Sequence, residues 1–160
     1  MRRITHIALM LLITSCGFKP MMAKNTEGYQ IVEKIQLSQV DGPEQPRLYR
    51  IISESMGDKL GTAPIYHLKI NVNNEVSSMG VMKDNLSTRY RVKVTFNYTL
   101  VKIETQEPID SGNIYLYSSY DVADSEFANY IAERYTNDNI LKELCEELKS
   151  RLVLVLSSRN

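Results

Sequence analysis

The side chains able to do chemistry in this sequence are few, and their spacing narrows what they could do. Histidine occurs twice, at His6 and His67, and His67 alternates with Lys69, Asn71 and Asn73 with no acid at a neighbouring alternating position. A proton relay or a multi-histidine metal site needs a carboxylate or a second ligand within reach, so His67 reads as a solvated surface side chain. There is no glycine-rich phosphate loop and no CxxC, and Glu143, Glu146 and Glu147 share the polar side of a helix with lysines. These features predict a non-enzymatic protein with no catalytic residue, no metal and no cofactor. The concentrated feature is cationic. Arg89, Arg91 and Lys93 alternate with Tyr90, Val92 and Val94, so one strand places all three cations on one face. Lys69 on the preceding strand and Lys83 in the loop spanning 77–87 extend the group. Two readings stand side by side: a solubilising face that also protects a sheet edge, or an anion site in which arginine and lysine pair with phosphate through charge-assisted hydrogen bonds.

The two cysteines belong to different chemistries. Residues 1–15 carry Arg2 and Arg3, then an apolar run over 4–13, then Thr14 and Ser15 before Cys16. A run of about ten residues at ~1.5 Å each reaches only about half of a ~30 Å hydrocarbon core, so it reads as an export signal rather than a membrane span. Ile13-Thr14-Ser15-Cys16 resembles a bacterial lipobox, which implies cleavage before Cys16 and a diacylglyceryl thioether on its sulfur. Several acyl chains give a stable anchor where one gives marginal binding. Gly17, in place of the aspartate that retains lipoproteins at the inner membrane, resembles the sorting pattern of outer-membrane lipoproteins. Phosphate groups of outer-leaflet lipid then become the natural anion for the cationic face. An acylated Cys16 leaves Cys145 without an intramolecular partner, and Cys145 falls inside an apolar helical stripe, where it reads as a small buried hydrophobe.

Length and charge bound the rest. The 160 residues, 43% hydrophobic, suffice for one core and not two. Removing residues 1–15 with their two arginines leaves 17 basic against 19 acidic side chains. A near-neutral body lacks the cation excess of a general nucleic-acid binder, so no nucleic-acid partner is expected. The organisation predicted is a signal peptide over 1–15, a lipidated tether over 16–28 and a single domain over 29–160.

Within that domain the periodicities predict the elements that must position the cations. A first strand is expected over 29–37, ended by Asp41-Gly42-Pro43. A helix follows from Pro46, with Leu48, Ile51, Ile52, Ser55, Met56 and Leu60 on one face and Gly61 as its cap. Tyr66, Leu68, Ile70 and Val72 then alternate as a second strand. The third is the strongest signal: Tyr90, Val92, Val94, Phe96, Tyr98 and Leu100 alternate with Arg89, Arg91, Lys93, Thr95, Asn97 and Thr99. At ~3.3 Å per residue, 89–103 spans roughly 50 Å, long enough to predict a bulge or bend. Residues 107–112 read as a hairpin connection, and 113–120 as a fourth strand with Ile114, Leu116 and Tyr120 on one face. A long helix is expected from an N-cap at Asp124 or Ser125 to about Leu156, with the stripe Phe127, Ile131, Tyr135, Leu141, Cys145, Leu148, Leu152 and Leu156. Arg134 and Asp138 fall within that stripe at i, i+4 spacing and are expected to pair. The fold class predicted is α+β: a two-layer sandwich with a four-stranded, mostly antiparallel sheet and two helices on one face, leaving the other face to water or a partner.

Cys16-Gly17-Phe18-Lys19-Pro20, Ser87-Thr88-Arg89-Tyr90 and Tyr130-Ile131-Ala132-Glu133-Arg134 together resemble LptE, the LPS-assembly lipoprotein family, especially its alphaproteobacterial members. The resemblance implies an α/β sandwich, anchored on the periplasmic side of the outer membrane, that plugs the LptD β-barrel and helps deliver lipopolysaccharide to the outer leaflet. It implies lipopolysaccharide contacts at Lys83, whose loop position is similar to a basic contact of the family, and near Arg134, with Arg89, Arg91 and Lys93 as further candidates on the strand face. The residues leave open two other classes: an auxiliary lipoprotein of a lipid-transport ABC system, and a periplasmic hydrolase.

Overall fold

The computed structural model describes residues 27–57, 63–81 and 87–159. The expected signal peptide, the acylated Cys16, most of the tether, the Leu60-Gly61 helix end and Lys83 lie outside the described residues. The elements are α1 (Glu27–Val32), β1 (Ile35–Asp41), α2 (Gln45–Met56), β2 (Tyr66–Val81), β3 (Ser87–Lys102), β4 (Pro108–Asp121) and α3 (Glu126–Ser157). The strands form one sheet in the order β1-β2-β3-β4. β1 runs parallel to β2 because α2 crosses between them, and the other two pairings are antiparallel. The fold class is the expected one.

β3 sits at the centre, and its alternation is realised along its length. Val92, Val94, Phe96, Tyr98 and Leu100 are almost fully buried, joined by Leu68, Ile70 and Val72 of β2. The helices cover this face, with Leu48, Ile51, Ile52 and Met56 from α2 and Leu141, Leu144, Cys145, Leu148 and Leu152 from α3. Each such aliphatic side chain contributes roughly 1.5–3 kcal/mol when taken out of water. The expected irregularity in β3 lies near its end, a register shift between Leu100 and Val101.

Three boundaries and the make-up of one apolar stripe differ from the sequence reading. Residues 27–32 form a helical turn, and the first strand starts six residues later than expected, at Ile35. The helix α2 ends at Gly57, not Gly61: Gly57 takes φ 73° and donates its N–H back to Glu54, so the first residue able to adopt the left-handed conformation stops the helix. β4 begins at Pro108, and the chain turns instead over 103–107, with Gln106 at φ 58°. Proline is compatible with the start of an edge strand, where a missing N–H breaks no ladder.

The fourth difference concerns α3. Its N-cap is Ser125, whose Oγ accepts from the Ala128 N–H at 3.4 Å, and the Asn129 amide clamps Ala123 through both its N–H (2.7 Å) and its C=O (2.9 Å). Beyond that start the expected stripe divides. From Leu141 onward it is core, whereas Phe127, Ile131 and Tyr135 are 74%, 46% and 69% exposed. Glu133 and Thr136 face the sheet in their stead, and the Tyr120 hydroxyl donates to Glu133 Oε2 at 3.2 Å. Nor do Arg134 and Asp138 pair: Arg47 of α2 takes the Asp138 carboxylate, while Arg134 donates to the Tyr130 hydroxyl at 2.6 Å.

Candidate functional site: the uncovered strand face

The sheet face turned away from the helices carries Arg91 and Lys93 on β3, flanked by Glu75 on β2 and by Tyr115 and Tyr117 on β4. Registers fix this grouping. Lys93 lies opposite Glu75 on one side and Tyr117 on the other, and Thr95 lies opposite Tyr115. Both tyrosines are about half exposed, and their rings meet edge to face with centroids 5.6 Å apart. Lys93 Nζ stands 5.5 Å from the Tyr115 centroid and 6.0 Å from that of Tyr117, and the Arg91 guanidinium stands 5.7 Å from Tyr117. These are cation–π distances. They place the charged ends of both side chains over an aromatic platform.

Electrostatically the face is a mixed one. Lys93 keeps Glu75 at 3.7 Å, Arg89 Nε donates to Asp121 at 2.8 Å, and Arg91 takes part in no ion pair among the described residues. Surface pairs such as these are worth only about 0–1 kcal/mol, so the cations can exchange partners with an incoming anion at small cost. The apolar edges of the tyrosines add contact for an acyl or sugar surface, since such rings suit sites with one wet and one apolar side.

The expected cationic group is thus brought together only in part. Arg91 and Lys93 are adjacent, and Arg89 closes the end of the row. Lys69 shares the face but lies level with Thr99, about 20 Å along the strand from Lys93. Arg134 belongs to the helical layer on the other side of the sheet. Tyr115 and Tyr117 were not singled out from sequence, although the placement of Ile114 and Leu116 on the inner face already put both on the outer one.

The remaining candidates for chemistry lie apart from the Arg91–Lys93 row or are buried. Cys145 is fully buried, and burial pushes its thiol up to about 12, so it stays protonated. His67 is half-buried on the outer face between β1 and β3. Among the described residues no group of histidine, cysteine or carboxylate side chains could hold a metal, and no helix is long and apolar enough to cross a membrane.

No family model matches the chain, and no curated protein matches it. Solved structures do share its fold. A Caulobacter crescentus protein classed provisionally as a lipoprotein superposes with a TM-score of 0.64 at 17% identity, over 83% of this chain and 97% of that one. A minor lipoprotein from Acinetobacter baumannii gives 0.57 at 11% identity, over 76% and 92%. The rare lipoprotein B of Shewanella oneidensis gives 0.50 at 17%, over 78% and 95%. The chain therefore has a fold that proteins described as lipoproteins also have.

Proposed function

We propose that this chain is an outer-membrane lipoprotein, anchored on the periplasmic side through acylated Cys16, that supports the LptD β-barrel from within its lumen and binds lipopolysaccharide during assembly into the outer leaflet. It acts by binding and catalyses no reaction. The observation that carries this reading is the uncovered strand face with its Arg91–Lys93–tyrosine ladder. Sixteen-residue β2 and β3 extend about 50 Å, enough to lie along a barrel whose apolar band is ~25 Å tall and whose lumen is polar.

A second surface supports an enclosing partner over one that docks from the side. The ridge of Phe127, Ile131 and Tyr135 lies in the helical layer, across the molecule from the strand face, and the described residues leave it uncovered. A lumen meets both surfaces at once. The fold shared with proteins described as lipoproteins agrees with the anchor.

The test is a photo-cross-linker at Thr95, and separately at Lys83, in living cells. Capture of an outer-membrane barrel, with loss of surface lipopolysaccharide on depletion, is the expected result. Capture of inner-membrane ATPase subunits alone transfers the protein to a lipid-transport ABC system. Intact-mass analysis of membrane-extracted protein should show residues 1–15 lost and lipid added at Cys16.

A further inference from the structure

The two edges of the sheet are built differently. β1 is seven residues long with a bulge between Leu37 and Gln39, and the part of β2 that runs past it, 72–81, carries Glu75, Gly80 and two asparagines. Short, bulged, charged or glycine-bearing strands are poor templates for further pairing. β4 has none of these defences over its middle. It runs for fourteen residues, about 45 Å, and keeps unbroken register with β3 from Asp110 to Asp121. Residues 113–120 hold no charge, no proline and no glycine, and Tyr115, Tyr117 and Tyr120 suit a strand. No strand among the described residues pairs with the outer side of β4, and the described side chains reach its backbone only at Ile109, where Arg159 donates to the carbonyl at 2.9 Å.

The helix α3 runs beside this edge. The Asn129 amide clamps Ala123 just past one end of β4, and Arg151 stands 4.0 Å from Asp110 at the other. Glu143 and Glu147 fall on the same side of the helix, two turns and one turn before Arg151. Both are exposed, and neither takes part in an ion pair among the described residues. An extended segment laid along β4 therefore meets unpaired backbone groups edge-on, Tyr115 and Tyr117 on the outer side and two carboxylates on the helical side. A second copy of this chain is the wrong occupant. Pairing β4 with its own copy brings two acidic α3 flanks together, and juxtaposed like charges work against association. A closed barrel wall is wrong too, because it has no free edge to offer.

We propose that β4 is a strand-addition site for an extended segment of a partner protein, one in which basic side chains alternate with apolar ones so that the cations face Glu143 and Glu147. Main-chain pairing supplies the affinity and the acidic flank the selectivity. The site uses neither Arg91 nor Lys93, and its assignment stands without the lipid and barrel readings. The probe is a nine-residue peptide of alternating valine and lysine, added to the ¹⁵N-labelled full chain while backbone amide exchange is followed. Alternate amides over 113–120 should exchange at least about tenfold more slowly at saturation, and a glutamate-for-lysine peptide should bind more weakly. Glu143→Gln with Glu147→Gln, at exposed positions where folding is not at stake, should weaken the lysine peptide about fivefold, an effect that salt screens. Only every second amide of an added strand faces β4. Methylating the peptide's amides in one alternating frame should therefore abolish binding, and in the other frame should leave it intact. Absence of protection at ~10 mM peptide, ten times the ~1 mM Kd of a weak ligand, overturns the proposal, as does equal binding of the lysine and glutamate peptides. A dimer of the chain alone with the 113–120 amides protected also overturns it, since the edge would then belong to a second copy.

Discussion

At the scale of single residues, Gly42 carries the tightest steric requirement in the described chain. It adopts φ 146°, and a Cβ built on it would stand 2.8 Å from both Leu48 Cδ1 and the Val72 carbonyl oxygen. Neither obstacle can swing away, since Leu48 is buried and the Val72 carbonyl is backbone. Gly42→Ala should cost about 2–5 kcal/mol, backbone strain and overpacking together, read as a fall in the urea midpoint. Tyr98 and Tyr120 make a different prediction. Burial first, then their hydrogen bonds to Asp110 (2.7 Å) and Glu133, raise both phenols to about 12 from an ordinary 10. Between those pH values the folded state holds protons that the unfolded chain releases, so stability falls as pH rises. The contribution is whole below about pH 10 and gone above about pH 12. Thermal melts should show the midpoint dropping across that window, and the Tyr98→Phe, Tyr120→Phe double variant should flatten the drop. On the outer face, Arg91→Ala with Lys93→Ala should weaken lipopolysaccharide binding in a salt-sensitive way, because exposed charges are screened over ~10 Å at 0.1 M. Unchanged binding by a folded double variant would reduce the ladder to a solubilising surface.

At the scale of elements, α3 separates two meanings of an apolar stripe. Leu144→Ala removes a side chain with no exposure and should cost about 2–5 kcal/mol. Phe127→Ser with Ile131→Ser, at exposed positions, should change stability by no more than about 0.5 kcal/mol each while lowering recovery of the proposed barrel partner. A melting midpoint measured beside a pull-down distinguishes the two effects. The same helix shows what periodicity conveys. Spacing identifies a face as apolar but not what it meets, so Leu141 and Phe127 look alike in sequence although only one faces the sheet. β3 was fully legible because its two faces differ in kind at every position, and the cations and the core came out of one alternation. α1 was not legible, since six residues are too few to display a period. The end of α2 was misjudged because either Gly57 or Gly61 can cap, and the start of β4 because Pro108 and Gly112 both signal turns yet an edge strand accommodates them. Tyr115 and Tyr117 were implied by parity alone.

At the scale of the whole molecule, the strands lie side by side in the order in which the chain makes them. Each ladder therefore closes over a connection of modest length: the α2 crossover for β1–β2, and five residues, 103–107, for β3–β4. Loop-closure entropy grows with the length of chain that must be gathered, and a fold assembled from sequential neighbours never has to gather much. Mixed α/β chains of this kind fold on about the millisecond scale, faster than sheets built from distant partners. Only α3 depends on the sheet being nearly complete, since Leu141, Leu144 and Leu148 pack onto it together. Refolding should then proceed as a single exponential, with Leu144→Ala chiefly accelerating unfolding and Val94→Ala chiefly slowing folding. Under the proposed export across a membrane, strand order becomes a matter of time: each hairpin can close as soon as its own residues have emerged, before proteases or other chains reach the exposed edges.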